Sequence, residues 1–247
     1  SRWRTRHGSP ANRLVANSLR FIRMPTIPAH AIGGVITGWG TALPSKVVTN
    51  DDLSKTMDTS DEWIRERTGI HRRHIGGSTA ELSVESGRTA MLMAGVSPDQ
   101  IDALVLSTTT PDRQVPATSA TVQNLLGLKC GAFDINAACS GFVYGLVVAH
   151  GLIAMGSKKV LLIGTDTLSR ITDWTDRNTA ILFADGSGAA VIEATSGPSE
   201  LLAWDLDADG SAEELLFAEI GGNIHMDGKE VFRRAVRIMV DSAQKYS

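Results

Sequence analysis

"GAFDINAACSGFVYGL", residues 131–146, joins an apolar strand-like run to an apolar helix-like run through a single cysteine, Cys139. The pattern predicts a strand over "GAFDINAA" (131–138) and a helix over "SGFVYGLVVAHGLIAMG" (140–156). That helix is apolar all round, which predicts burial on every side. An α/β fold with a helix enclosed between two layers of sheet fits a layered α-β-α-β-α sandwich better than an ordinary doubly wound domain.

The corner itself carries chemistry. A thiol at a helix N-terminus meets aligned peptide dipoles and unpaired N–H groups, which favour the thiolate. Ala137, Ala138, Ser140 and Gly141 are small, so the chain can turn sharply and a substrate carbonyl can reach the sulfur. The Cys139 N–H would help form an oxyanion hole. This is the logic of a nucleophile elbow with sulfur for oxygen. On these residues alone, a buried cysteine acting as a small hydrophobe fits equally well.

Working outward, strands and helices alternate. "AIGGVITGWG" (31–40), "IDALVLSTTT" (101–110) and "KKVLLIGTD" (158–166) read as strands. "AILFADGSGAAVIEA" (180–194) reads as two strands folded back at Asp185-Gly186. Helices are expected over "TNDDLSKTM" (49–57) and over "SDEWIRERTG" (60–69), capped by Ser60 and ended by Gly69. Two more are expected over "STAELSVESGRTAMLMAG" (78–95) and over "TSATVQNLLG" (118–127), the latter capped by Thr118 or Ser119. This alternation implies a sheet covered on both faces. Beyond Pro198, "LLAWDLDADGSAEELLFAEIGG" (201–222) is strand-like and acidic, and "GKEVFRRAVRIMVDSAQKYS" (228–247) is an amphipathic helix. The expected division is a unit over 24–198 holding the cysteine and an incomplete second unit over 199–247.

Composition narrows the classes. The 247 residues carry a net charge of −3 and are 43% hydrophobic. A nucleic-acid binder normally shows a basic excess, and no apolar run approaches the ~20 residues of a membrane span. Two cysteines do not make a disulfide framework, which points to reduced thiols in the cytoplasm. Cys130 and Cys139 have no common metal-ligand spacing, so no metal is expected. Residues 1–23 hold six arginines and no acid. They read as a leader ahead of a start at Met24, with a transit peptide as the alternative.

A second stretch, "DTSDEWIRERTGIHRRHI" (58–75), resembles the signature of the β-ketoacyl-acyl-carrier-protein synthase III family of thiolase-fold condensing enzymes. "AACSGF" (137–142) is similar to that family's nucleophile motif. "DWTDRNTAILFADGSGAAV" (173–191) and "HMDGKEVFRRAV" (225–236) resemble two further blocks in the expected order. The resemblance runs from about Ile32 to the end and leaves residues 1–23 outside.

The resemblance implies a thiolase-like sandwich, present as the N-terminal half and the start of the second half. It also implies acyl transfer from an acyl-CoA, with acetyl-CoA the expected starter, to Cys139. Decarboxylating condensation with malonyl-acyl-carrier protein follows, and no cofactor is needed. Trp63, Arg67 and Arg177 match positions that hold the nucleotide of CoA, and Thr59 matches a residue near the adenine. Phe183, Met226, Gly228 and Phe232 match residues of the pantetheine and acyl channel. Lys229 and Arg233 are expected to face the acidic carrier protein. Val115 is expected at a homodimer interface, contributing to the partner's acyl pocket. The family completes its site with a histidine and an asparagine of the second half. None of the six histidines here matches that role, His225 included, and both residues are expected beyond Ser247. A relative using another starter or acceptor (quinolone-type or long-chain), and a non-catalytic CoA-binding or dimerising module, are the alternatives.

Overall fold

The computed structural model describes residues 32–197 and 199–245, so the expected leader over 1–23 lies outside the described residues. The described residues open with a long strand, β1 (Gly33–Ala42), then a short one, β2 (Val47–Thr49). Helices α1 (Asn50–Ser54) and α2 (Asp61–Thr68) follow. Thr49 caps α1 in a reciprocal pair with Asp52. Ser60 caps α2, and Gly69 ends it in the left-handed region at φ 72°, as the sequence implied. Strand β3 (Arg72–His74) pairs with β2.

Next come α3 (Thr79–Ala94), β4 (Ala103–Ser107), α4 (Thr118–Leu126), β5 (Gly131–Ile135) and α5 (Gly141–Ala154). Strand β6 (Lys159–Thr167), the short helix α6 (Arg177–Ala180) and strand β7 (Asp185–Thr195) complete the main body. Beyond it lie β8 (Leu216–Ala218), β9 (Ile224–Met226) and α7 (Gly228–Gln244).

Five strands form one sheet in the order β1-β7-β6-β4-β5. The β5-β4-β6 portion is parallel, and β7 and β1 add antiparallel. Side chains of a strand alternate between its faces. Leu104 and Leu106 of β4 and Leu161 and Ile163 of β6 therefore pack with Met91 of α3 and Val122 and Leu126 of α4. Val105, Val160, Leu162 and Ile192 pack on the other face with Ala149 and Ile153 of α5. Each fully buried Leu, Ile or Val contributes on the order of 1.5–3 kcal/mol. Helix α3 lies close on β1 because a Cβ at Gly40 would sit 2.3 Å from the Ser86 carbonyl oxygen.

Four expectations are corrected. The "AILFADGSGAAVIEA" segment is not a hairpin. It starts at Ala180, the last residue of the short helix α6, and after a turn continues as one strand, β7, that runs antiparallel to both β6 and β1. Helix α4 is not capped by Thr118 or Ser119. Its N-cap is Ala117, and the Asp134 carboxylate of β5 accepts the N–H groups of Thr118 (2.9 Å) and Ser119 (2.8 Å) instead. Helix α5 is not buried all round. One stripe, Gly141, Gly145, Ala149 and Ile153, packs on the sheet, while Val143 is half exposed. The acidic stretch over 201–222 is mostly irregular, with a 3-10 turn at Gly210–Leu215 and only β8 as strand. Helix α7 forms as expected, yet none of its described residues is buried.

Candidate active site

Cys139 lies in a 3-10 turn, Ala138–Ser140, between β5 and α5. Ala138 adopts φ 46°, a left-handed conformation rare outside glycine. Its N–H donates to Asn136 Oδ1 at 3.1 Å, which holds the turn. Ser140 makes no side-chain cap on α5, so the positive end of the helix dipole is left beside the sulfur. Cys139 is exposed, so the alternative of a small buried hydrophobe does not hold. Cys130 packs against the core under α3 and α4, and burial pushes its thiol up.

The sulfur opens into a cavity of about 400 Å³ lined by Ser107, Phe142, Gly164, Asp166 and Gly188 among others. It sits at the carboxyl ends of the parallel strands, where open α/β sheets place their sites. Two close approaches shape it. Gly141 presses on Ser107, whose Oγ would stand 1.9 Å from a Cβ there. Gly164 and Gly188 pair across β6 and β7 and leave the floor without side chains. The Phe142 ring comes within 3.1 Å of where a Gly164 Cβ would be.

A second locus lies on α2. The Arg67 guanidinium stands 4.2 Å from the centre of the Trp63 ring, and that of Arg177 stands 4.9 Å from it. Arg177 Nη1 donates to the Asp58 carbonyl at 2.7 Å, which ties α6 to the start of α2. The Thr59 hydroxyl is buried and has no hydrogen-bond partner among the described residues. Beneath lies a small core of Leu53, Ile64 and Ile181 with Trp63 and Trp174 against it. Buried Arg73 braces the core from below, donating to Asn50 Oδ1 at 2.8 Å and to the Ile181 carbonyl at 3.4 Å.

Residues 133–210, which contain the cysteine corner, match the family model described as 3-oxoacyl-[acyl-carrier-protein (ACP)] synthase III. The β-ketoacyl-[acyl-carrier-protein] synthase III of Erythrobacter litoralis is 48% identical over 225 residues, spanning 85% of this chain and 70% of that protein. That of Xanthomonas campestris is 48% identical over 221 residues, spanning 83% and 68%. The chain belongs to the β-ketoacyl-acyl-carrier-protein synthase III family. The crystal structure of the Aquifex aeolicus 3-oxoacyl-[acyl-carrier-protein] synthase III superposes with a TM-score of 0.84 at 44% identity, over 86% of this chain and 70% of that one. The Pseudomonas aeruginosa PAO1 synthase gives 0.80 at 40% identity, over 86% and 69%. The fold is the thiolase fold, and the protein is an acyltransferase of fatty acid synthesis.

Within this fold the remaining expected residues fall apart from the cysteine cavity. Phe183 is half-buried just before β7, where its neighbour Ala184, not Phe183 itself, lines the cavity. Met226 ends β9, and its Cε would stand 3.3 Å from a Cβ at Gly228. Lys229, Phe232 and Arg233 line a separate open hollow of about 700 Å³ along α7. Phe232 is 71% exposed there. Arg233 is not a free cation. Glu230 takes its Nη2 at 2.6 Å and its Nε at 2.9 Å, and also accepts Arg234 Nε at 2.9 Å. Val115 is 80% exposed on the loop between β4 and α4. Ser107 and Asp166 had no signal in the sequence, because only the parallel pairing of β4 with β6 brings them to the cavity.

Proposed function

We propose that Cys139 is the nucleophile of a two-step acyl transfer, and that acetyl-CoA is the starter. The observation that carries this is the exposed Cys139 sulfur in a cavity at the strand ends, beside an uncapped helix N-terminus. Cys139 Sγ attacks the thioester carbonyl, the carbon–sulfur bond to CoA breaks, and CoA leaves as its thiol. Malonyl-acyl-carrier protein then loses CO₂, and the resulting carbanion attacks the acyl-cysteine. A carbon–carbon bond forms, and Cys139 is released as thiolate. Splitting the reaction lowers the barrier of each half, and the chemistry as proposed uses no cofactor.

Trp63, Arg67 and Arg177 are proposed to hold the CoA nucleotide, because indole and guanidinium faces stack on a base and arginine also takes phosphate. The orphaned Thr59 hydroxyl supports a polar ligand there, since buried polar groups are normally paired. Met226, Gly228 and Phe232, with Phe183, are proposed to border the pantetheine and acyl channel. Exposed Lys229 is the better candidate to meet an acidic carrier protein, with Arg233 already occupied by Glu230. We infer a homodimer formed at the open edge of β5, which among the described residues pairs only with β4. Val115 would then reach the partner. Two free thiols suit the reducing cytoplasm. No helix among the described residues is long and apolar enough to cross a membrane.

The test is steady-state kinetics with acetyl-CoA and malonyl-acyl-carrier protein. Parallel-line, ping-pong kinetics with release of free CoA are expected, and Cys139→Ser should abolish them. A pattern requiring both substrates bound before any CoA is released would contradict the covalent reading.

A further inference from the structure

Asp166, on β6, lines the Cys139 cavity and plays no part in the chemistry proposed above. Its Oδ1 gathers one short turn. It accepts the Thr109 N–H at 2.7 Å and the Thr109 hydroxyl at 2.8 Å. The hydroxyls of Thr108 (3.3 Å) and Thr110 (3.4 Å) approach the same oxygen at longer range. Hydrogen bonds to a carboxylate are stronger than neutral ones, so the two short contacts dominate.

The turn so gathered leads directly to the sulfur. Thr108 N–H donates to the carbonyl of Ile135, the last residue of β5, at 3.1 Å. Cys139 follows four residues later in the chain. One residue before the turn, Ser107 bears on Gly141, the first residue of α5. Asp166 therefore ties the carboxyl end of β6 to that of β4, and β4 carries the tie to β5 on one side of Cys139 and to α5 on the other. Arg170 closes the outer side of the same turn by donating to Asp112 Oδ1 at 3.1 Å and to the Pro111 carbonyl at 3.1 Å.

We propose that Asp166 is a positioning residue for acyl transfer, fixing the ends of β4 and β5 so that Cys139 holds its place in the cavity. This rests on the reading of Cys139 as the acylated residue. Misplacing a reacting group by about 1 Å costs on the order of 10²-fold in rate, and a carboxylate that only sets geometry leaves substrate affinity alone.

The experiment measures acyl transfer from acetyl-CoA to Cys139 by mass spectrometry, in wild type, Asp166→Ala and Asp166→Asn. Cys130 serves as an internal control, because its half-buried thiol reports loosening of the core through its alkylation by iodoacetamide. Asp166→Ala is expected to transfer about 10²-fold more slowly, with half-saturating acetyl-CoA changed less than about 2-fold and Cys130 alkylated at the wild-type rate. Asp166→Asn keeps an acceptor for the Thr109 N–H and should recover to within about 10-fold of wild type. Transfer by Asp166→Ala within about 2-fold of wild type overturns the proposal, as does a loss matched by faster Cys130 alkylation. Should Asp166→Ala fail to fold, Thr109→Val removes one donor alone. A loss of about 5-fold with Cys130 unchanged is expected, and a wild-type rate overturns the proposal. Wild-type protein that takes no acyl group on Cys139 contradicts the acyl-transfer reading itself, whereas equal transfer by wild type and Asp166→Ala contradicts only the role of Asp166.

Discussion

The guanidinium of Arg177, on α6, stands 4.9 Å from the centre of the Trp63 ring on α2. A base that stacks on Trp63 must take a place that a guanidinium now holds, and the displaced arginine can close over it. Stacking of a base on an aromatic side chain is worth about 1–3 kcal/mol. Trp63→Ala and Arg177→Ala are therefore expected to raise KM for acetyl-CoA about 10-fold and to leave kcat within about 3-fold. A fall in kcat at unchanged KM would argue that this locus serves the chemistry and not the nucleotide.

Close packing of α3 on β1 gives a stability prediction. A Cβ at Gly40 would stand 2.3 Å from the Ser86 carbonyl oxygen, which cannot move without the helix. Overpacking of this kind costs about 1–3 kcal/mol. Gly131→Ala, where nothing lies within 4 Å, is the matched control. Urea unfolding should show Gly40→Ala destabilised by that amount and Gly131→Ala within about 0.5 kcal/mol of wild type. Equal midpoints would remove the packing argument.

The start of α7 gives a pH prediction. Glu230 titrates at about 2, held down first by its hydrogen bond from Arg233 and then by that from Arg234. A carboxylate depressed in the folded state adds stability that is fully present above its ordinary value of 4.5 and lost as pH falls through about 2. Carbon-13 NMR of the Glu230 carboxyl should show this low midpoint, and Arg233→Ala should move it up. A midpoint near 4.5 in wild type would mean that the Glu230–Arg233 pair does not persist in solution.

Several of these features were legible in the sequence for physical reasons. Ser60, Gly69 and Gly95 mark helix ends through local hydrogen bonds and φ preference, and the structure places caps at each. The Cys139 corner was legible because small residues interrupt two apolar runs. Contacts distant in sequence were not. The Asp134 cap on α4 comes from a neighbouring strand, so no motif within α4 announces it. Ser83 and Ser86 lie on α3, Thr165 on β6 and Ser187 on β7. They are buried between α3 and the sheet, where Ser83 meets Thr165 at 2.7 Å and Ser86 meets Ser187 at 2.6 Å. Hydrophobic periodicity cannot register such a network, because hydroxyls that satisfy one another are buried at little cost. The apolar run of α5 overstated its burial, since composition reports what a face tolerates and not which neighbour covers it.

The central claim is that Cys139, and not Cys130, receives the acyl group. The most direct measurement incubates the protein with labelled acetyl-CoA, quenches it, and maps the label by peptide mass spectrometry in wild type, Cys139→Ser and Cys130→Ser. One acyl group is expected on the peptide containing Cys139, lost in Cys139→Ser and retained in Cys130→Ser. Label on Cys130, or label that survives Cys139→Ser, would contradict it.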